Sequence, residues 1–301
     1  MNGASAGVLL LDKPLGLSSN AALQCVRRLA GNLKAGHTGS LDPLASGMLP
    51  ICLGEATKLA GQMLLLDKAY RFGIQLGERS ETGDAQGAIV ERCPVPALSR
   101  SAVETVLRGF VGEQQQIPPM YSALKHDGER LYRLARRGVT LPLHPRRIVI
   151  AELELLEIAE AQLELRVLCS KGTYVRVLAE DIARALGSCG RLYRLRRDYV
   201  EPFAHERMYS LEELEACTRE ARSWPLLPVD AALQHLPLLR LAGASISALA
   251  HGQPLPGLIS GEAALWRLYD AHQRFLGLGQ SDAEGTLRAR RLFGAAMQAD
   301  G

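Results

Sequence analysis

The sequence has no apolar run that approaches the length of about 20 residues needed for a membrane-spanning helix. We therefore expect no membrane partner. No basic stretch precedes the short apolar run near the N-terminus, so we also expect no secretory signal.

Cysteines are few and scattered, and none forms a Cys-x-x-Cys pair. This spacing argues against a zinc site and against a disulfide framework. We therefore expect all six to be buried thiols in a reducing cytoplasm. They are Cys25, Cys52, Cys93, Cys169, Cys189 and Cys217.

A strong excess of either charge is also missing, since the formal net charge is only +3. The total charge alone does not indicate a nucleic-acid-binding protein, so the local distribution of basic residues matters more. With 47% hydrophobic and 22% charged residues, the 301-residue chain has the composition of a globular protein. Its length fits one large domain, or one main domain with a small appendage.

Helical and strand patterns alternate along the chain without a regular βαβ rhythm. One helix is predicted after Ser19, its candidate N-cap, with Gly31 as the stop, and another is predicted within residues 173–187. Residues 70–77 and 163–170 have the alternation typical of strands. This mixture favours an α+β fold over a doubly wound parallel sheet.

A proline-rich stretch at residues 223–241 has the character of a domain boundary. Beyond it the pattern changes to short strands joined by polar and glycine turns, which predicts a small β-rich module. We expect a main domain over residues 1–235 and this module over residues 236–301.

Three basic clusters are separated along the chain. A single cluster of this kind is typical of a solvated surface, but three in a chain of modest net charge favour contact with a phosphate backbone. Double-helical RNA would be held by its shape and phosphates, and an unpaired base by stacking and edge hydrogen bonds. The clusters are Lys125, Arg130, Arg133, Arg136, Arg137, Arg146 and Arg147; Arg191, Arg194, Arg196 and Arg197; and Arg288, Arg290 and Arg291.

One acidic residue, Asp42, lies in the compact segment GHTGSLDPLASGMLP, which runs from Gly36 to Pro50. An Asp-Pro pair in a glycine-rich loop is typical of ordinary turns. The segment by itself therefore does not indicate catalysis.

Six segments in this order resemble the tRNA pseudouridine synthase B family, whose members isomerise uridine 55 in the T loop of tRNA. They are GVLLLDKPLGLSSN, GHTGSLDPLASGMLP, YRFGIQLGERSETGDAQG, QIPPMYSALKHDGERLYRLARRG, SKGTYVRVLAEDIARALG and RLYRLRRDYVEPF. The resemblance extends from residue 7 to about residue 210. It implies a catalytic domain with a mixed or antiparallel sheet, helices and a basic insert at about residues 117–147. The tail is similar to the PUA module, an RNA-binding domain of this family.

The resemblance also implies roles for individual residues. Asp42 matches the essential aspartate that initiates isomerisation, and Arg176 matches the basic residue that pairs with it. Tyr70 matches the aromatic residue that stacks on the target base. Tyr174 matches an active-site tyrosine, and Leu195 an apolar residue that lines the uracil pocket.

Two further matches concern the surroundings of the site. His37 resembles the histidine that contacts the flipped-out nucleotides and holds the rearranged T loop. Lys13 belongs to the Lys-Pro motif that packs near the site, and we expect its role to be structural.

Pseudouridine formation breaks the C1′–N1 glycosidic bond, turns the uracil, and joins C5 to C1′. No redox change or net atom transfer occurs, so no cofactor is expected. The reaction needs a carboxylate that stays ionised in an enclosed pocket, and a nearby arginine favours that charged form. Asp42 could attack C1′ or C6, or deprotonate the sugar, and the sequence leaves all three routes open.

We expect a monomeric cytoplasmic protein that binds the T stem-loop of tRNA, contacts its acceptor end through the C-terminal module, and closes its insert on the RNA. Three alternatives remain. The substrate could be another RNA, as for guide-RNA-directed relatives, or the protein could act mainly as a tRNA-folding helper. It could also be a glycosidase, although that chemistry normally uses two carboxylates and this motif offers one.

Overall fold

The computed structural model describes residues 6–259 and 263–293. Its strands are β1 (Gly7–Lys13), β2 (Ala35–His37), β3 (Ala45–Leu53), β4 (Lys68–Leu76), β5 (Glu78–Ser80), β6 (Ile89–Arg92), β7 (Gly112–Gln116), β8 (Lys125–His126), β9 (Glu129–Arg130), β10 (Arg146–Ala159), β11 (Gln162–Cys169), β12 (Gly190–Val200), β13 (Leu238–Arg240), β14 (Leu265–Tyr269), β15 (Phe275–Ser281) and β16 (Leu287–Leu292). Its helices are α1 (Ser19–Leu29), α2 (Ala60–Met63), α3 (Arg100–Arg108), α4 (Leu131–Arg136), α5 (Val175–Ala185), α6 (Leu211–Arg219) and α7 (Gly243–Ala250), with 3₁₀ helices at Gly54–Leu59 and Ala231–Leu233.

An eight-stranded sheet forms the centre of the main domain. Its strand order is β1-β3-β12-β4-β11-β10-β7, and β2 pairs with β3 outside this path. All of its pairings are antiparallel except that of β12 with β3. The predicted α+β class is therefore confirmed, with a mixed sheet and helices on its face. The predicted strands at 70–77 and 163–170 are β4 and β11.

Helix α5 packs on this sheet because its apolar side chains recur every three or four residues. Val175, Leu178 and Ile182 are buried against the core that the strands provide. Burying each such side chain contributes about 1.5–3 kcal/mol. The helix begins directly after Tyr174, which is its N-cap.

Helix α1 has a different N-cap from the one that the sequence suggests. The N-cap is Ser18, whose hydroxyl accepts from the Ala21 N–H at 3.1 Å. Ser19 is the first helical residue and is buried. Its hydroxyl is thereby free to bond another segment of the chain.

The C-terminal sheet follows the order β13-β14-β15-β16 and has its own apolar core with α7. The prediction of a β-rich module is confirmed. Arg267 of β14 connects it to the preceding segment, donating to Gln234 at 2.7 Å and lying 3.5 Å from Asp230. Phe293 packs with Leu59 of the main domain.

The expectation of six buried thiols is wrong. The chain brings the segment after β6 beside the start of β12, and Cys93 and Cys189 form a disulfide there with a Cα–Cα distance of 5.6 Å. Their sequence separation of 96 residues hid this proximity. Cys25 is half-buried, whereas Cys52, Cys169 and Cys217 are buried thiols. Over the described residues, no helix is both long and apolar enough to cross a membrane.

Candidate active site

Asp42 lies in the loop between β2 and β3, and the loop is anchored on both sides of it. The Ser19 hydroxyl donates to the Leu41 carbonyl at 2.9 Å and accepts from the Leu41 N–H at 2.7 Å. The Ala45 N–H donates to the Asp42 carbonyl at 3.0 Å. These bonds restrict the backbone under the carboxylate, so its position is set before any ligand arrives.

Arg176 is the partner of Asp42. Its Nε lies 2.9 Å from Asp42 Oδ2, while its two terminal nitrogens donate to the carbonyls of Thr82 and Tyr121 at 2.9 and 2.8 Å. The Arg176 side chain is 7% exposed, whereas that of Asp42 is 42% exposed. The guanidinium is therefore fixed at three points, and the carboxylate keeps an open side.

Tyr70 and Leu195 are buried on neighbouring strands beside this loop. Leu195 is paired with Ala45, the first residue of β3 after the Asp42 loop. Burial raises the pKa of Tyr70, while the positive charge of Arg197 and a hydrogen bond from it act in the opposite direction. Tyr70 thus offers a neutral ring, and Leu195 an apolar surface, near the carboxylate.

Tyr174 immediately precedes α5 and is held through its backbone. Its N–H donates to Gln116 Oε1 at 2.8 Å, and Gln116 Nε2 donates back to the Tyr174 carbonyl at 3.2 Å. Burial raises the pKa of the Tyr174 phenol. Sequence reasoning did not single out Gln116, because a glutamine in a polar edge strand carries no distinctive signal.

Lys13, at the end of β1, is fully buried. Its ammonium donates to the carbonyls of Pro14 at 2.8 Å and Leu17 at 2.6 Å. Burial lowers its pKa to about 8, and the negative charge of Asp42 opposes that shift. Lys13 thus binds the turn before α1, close to the Asp42 carboxylate.

His37 is half-buried on β2. Burial lowers its pKa, and the positive charges of Arg197 and Arg130 lower it further. Its Nδ1 atom is buried and has no hydrogen-bond partner among the described residues. Arg130 belongs to the predicted insert. Its effect on the pKa of His37 therefore indicates that the insert lies near this histidine.

The insert is built on the β8–β9 hairpin and α4, and its base reaches the Asp42 site through the Tyr121 carbonyl. Its helix begins at Leu131, after Arg130 as the N-cap. A cavity of about 460 Å³ lies between this insert, the end of β5 and α5. Arg176 lines it, together with Thr82, Tyr121 and Glu180.

The basic side chains of the insert are exposed. Two of them have carboxylate partners: Arg137 pairs with Glu129 at 2.7 Å, and Arg147 pairs with Glu113. On the C-terminal sheet, the exposed arginines of β16 form a second basic surface. These are Arg288, Arg290 and Arg291.

Each arginine of the predicted basic cluster on β12 has an acceptor within the protein, and only Arg194 of the four is exposed. The contacts are Arg191–Glu78 at 2.9 Å, Arg194–Glu164 at 3.6 Å, Arg196–Asp12 at 2.9 Å, and Arg197 with the carbonyls of Met48 and Gly39. A run of arginines in the sequence does not reveal which face of a strand each one occupies. Leu195 and Arg197 are two residues apart on the strand, so they share one face of the sheet. The apolar Leu195 is therefore the sequence signal that Arg197 lies on the buried face.

Sequence comparison now identifies the family. Profiles described as TruB family pseudouridylate synthase (N-terminal domain), tRNA pseudouridylate synthase B C-terminal domain and Pseudouridine synthase II TruB, C-terminal, match residues 27–175, 176–234 and 237–293. The chain belongs to the TruB family of pseudouridylate synthases. The expected family is thereby confirmed.

Close relatives extend over nearly the whole chain. The tRNA pseudouridine synthase B of Chromohalobacter salexigens is 49% identical over 97% of this chain and 96% of its own length. The enzyme of the same name from Methylobacillus flagellatus is 48% identical, with 95% of each chain covered.

Among solved structures, a chain in the crystal structure of a Cbf5-Nop10-Gar1 complex superposes with a TM-score of 0.72. It is 25% identical, and the match covers 93% of this chain and 79% of that one. A chain in the crystal structure of the archaeal box H/ACA sRNP Nop10-Cbf5 complex has a TM-score of 0.71 at 23% identity, covering 95% and 85%. This chain therefore has the pseudouridine synthase fold, including the β-rich C-terminal part.

Proposed function

We propose that this protein isomerises uridine 55 in the T loop of tRNA to pseudouridine, with Asp42 as the catalytic nucleophile or base. The observation that carries the proposal is the Asp42 carboxylate, open on one side and held by Arg176 at 2.9 Å, in a chain of the TruB family. The close relatives named tRNA pseudouridine synthase B support tRNA as the substrate.

In this proposal Arg176 holds the Asp42 carboxylate in a fixed orientation. Two of its hydrogen bonds go to main-chain carbonyls. These bonds keep the guanidinium beside Asp42 when the phosphates of the RNA enter the site. The carboxylate then acts at C1′ or C6 of the uridine, or removes a proton from the sugar. No cofactor takes part in these steps, because the reaction only moves the glycosidic bond from N1 to C5.

Tyr70 and Leu195 hold the uracil while it is detached. The neutral Tyr70 ring stacks on the base, and the buried Leu195 side chain forms an apolar wall. Together with Tyr174, these side chains exclude water from the detached base and limit its escape. Lys13 supports the turn behind Asp42 and does not take part in bond changes.

Extraction of the target base costs a few kcal/mol of stacking and pairing. Phosphate contacts from the exposed arginines of the insert offset this cost, and His37 occupies the space that the flipped nucleotides leave. Its lowered pKa keeps the imidazole neutral near pH 7, so it fits among bases better than a charged ring does. Movement of the insert onto the RNA completes the enclosure.

The remaining assignments follow from the same proposal. Residues 1–235 form the catalytic domain with the insert at about 117–147, and residues 236–301 form a PUA-like domain that contacts the tRNA acceptor end. Residues 260–262 and 294–301 of that domain lie outside the described part of the chain. The protein acts as a monomer in the cytoplasm. The identity of 48–49% to enzymes named for tRNA favours tRNA over a guide-RNA-directed substrate.

The test uses tRNA transcript carrying tritium at uracil C5, because pseudouridine formation releases that tritium to water. Wild type is expected to release it from position 55, mapped by reverse transcription after carbodiimide treatment, while Asp42→Asn releases none and still binds tRNA. Release by Asp42→Asn at the wild-type rate would exclude Asp42 as the reacting group. An Asp42→Asn protein that still promotes tRNA folding would add the role of a folding helper.

A further inference from the structure

Arg197 is buried in an unusual way for a charged side chain. It is 1% exposed and is the largest of the fully buried side chains among the described residues. Its Nε donates to the Met48 carbonyl at 2.6 Å, and one terminal nitrogen donates to the Gly39 carbonyl at 3.0 Å. Within the described ranges, no carboxylate lies at ion-pair distance from it. Burial of a charge without a counter-ion costs free energy of folding. We therefore expect this guanidinium to have a role that an apolar side chain could not fill.

The two carbonyls that Arg197 binds lie on either side of Asp42 in the sequence. Gly39 comes three residues before Asp42, and Met48 comes six residues after it. One rigid, planar group therefore joins the start of the Asp42 loop to the strand that follows it. Arg176 holds the carboxylate itself, whereas Arg197 holds the backbone on which the carboxylate is mounted.

The glycines of this segment allow the close approach. A Cβ on Gly47 would lie 2.1 Å from the Arg197 carbonyl oxygen, and a Cβ on Gly39 would lie 3.4 Å from an Arg197 terminal nitrogen. Both glycines have positive φ angles, +100° and +80°. The backbone around Asp42 is thus shaped to fit against Arg197.

The charge of Arg197 also reaches the other groups of the site. It lowers the pKa of His37 and of Lys13, after the larger effect of burial on each. It also opposes the rise in the pKa of Tyr70 that burial causes. Arg197 therefore lies close to these groups, and it interacts with Tyr70 in addition to donating to the two backbone carbonyls.

We propose that Arg197 is a positioning residue for pseudouridine formation, which sets the backbone of residues 39–48 so that Asp42 presents its open oxygen to the extruded uridine. This inference rests on the proposed function, and it assigns Arg197 no contact with the uridine. A guanidinium is suited to the role because it can donate to two carbonyls at once from one plane.

The test compares Arg197→Met and Arg197→Lys with wild type, using single-turnover tritium release from tRNA and the tRNA dissociation constant from filter binding. Methionine keeps much of the length of the side chain and removes all its donors, while lysine keeps the charge and loses the planar fork. The matched control is Arg71→Met, which removes an arginine from the exposed face of the adjacent strand β4. Circular dichroism and thermal melts report the folded fraction of each variant.

The expected order of single-turnover rates is wild type, then Lys, then Met, with the Met variant at least about tenfold slower, the dissociation constants unchanged, and Arg71→Met equal to wild type. A folded Met variant with the wild-type rate overturns the inference, as does a decrease that only follows the folded fraction. If the Met variant does not fold, the Lys variant decides: a slower rate at unchanged affinity supports the inference, and the wild-type rate overturns it. If wild type and Arg71→Met release no tritium from tRNA, the proposed function fails and this inference falls with it.

Discussion

Arg176 holds Asp42 through Nε at 2.9 Å, but the two side chains differ sharply in exposure, with 7% of the arginine and 42% of the aspartate open to solvent. The cation is therefore part of the protein's framework, while the anion is left accessible on one side. Such an asymmetric pair differs from a surface salt bridge, in which both partners are solvated and little is gained. It suits a carboxylate that must be held in one orientation and still meet a ligand.

Replacing this arginine by lysine is expected to abolish most of the activity. Lysine keeps the charge but cannot bind Asp42 and the carbonyls of Thr82 and Tyr121 at the same time in one plane. We expect Arg176→Lys to reduce the single-turnover rate of pseudouridine formation by at least about a hundredfold, with tRNA affinity within about twofold of wild type. A Lys variant at the wild-type rate would contradict the role of the fixed guanidinium.

The exposed arginines of the insert are expected to contribute affinity. In the triple variant Arg130→Gln, Arg133→Gln and Arg136→Gln, we expect tRNA binding to weaken by at least about tenfold at physiological salt. The slope of log K against log salt concentration should become shallower by about 0.7–0.9 for each phosphate that the variant no longer neutralises. Filter binding over a range of salt concentrations measures both quantities.

A control for this prediction removes the same charge from the region of α6. The variant Arg207→Gln, Arg219→Gln and Arg222→Gln changes three exposed arginines that lie beside glutamates. We expect its affinity and salt slope to stay close to those of wild type. Equal weakening in both triple variants would mean that total charge, and not the insert, determines the affinity.

Gly47→Ala is expected to destabilise the fold strongly. The added Cβ would lie 2.1 Å from the Arg197 carbonyl oxygen, at a backbone φ of +100°. We expect a decrease of about 3 kcal/mol or more in the free energy of unfolding, measured by urea denaturation. Gly31→Ala is the matched control, since Gly31 has a φ of +68° and no atom within 4 Å of the added Cβ. Its decrease should be about 1 kcal/mol, and equal decreases would exclude the steric explanation.

Lys13 is expected to make stability depend on alkaline pH. Its pKa is lowered from 10.5 to about 8 by burial, so between these values the unfolded chain binds the proton and the folded protein does not. Unfolding therefore takes up a proton in this window, and the free energy of unfolding rises with pH. Relative to Lys13→Met, wild type should gain about 1–2 kcal/mol between pH 8 and pH 9.5. Parallel curves in urea denaturation for the two proteins would contradict a lowered pKa.

Local patterns were sufficient for much of the fold. The spacing of Val175, Leu178 and Ile182 predicted α5, and alternation predicted β4 and β11, because helix and strand periods depend on neighbouring residues only. The β-rich C-terminal part was also predictable, since short strands with glycine turns leave a clear pattern. The N-cap of α1 was misplaced by one residue, because Ser18 and Ser19 are equally good caps in the sequence.

The sequence by itself determined the elements, the family and the motif that carries Asp42. Only the tertiary structure decided which long-range partners meet. Helix α5 brings Arg176 to Asp42, the first residue of α1 secures Leu41, and β12 turns Arg197 inward while its neighbours pair on other surfaces. The Cys93–Cys189 disulfide has the same origin. These contacts depend on strand order and on the face that each side chain occupies, and the packing of distant segments sets both.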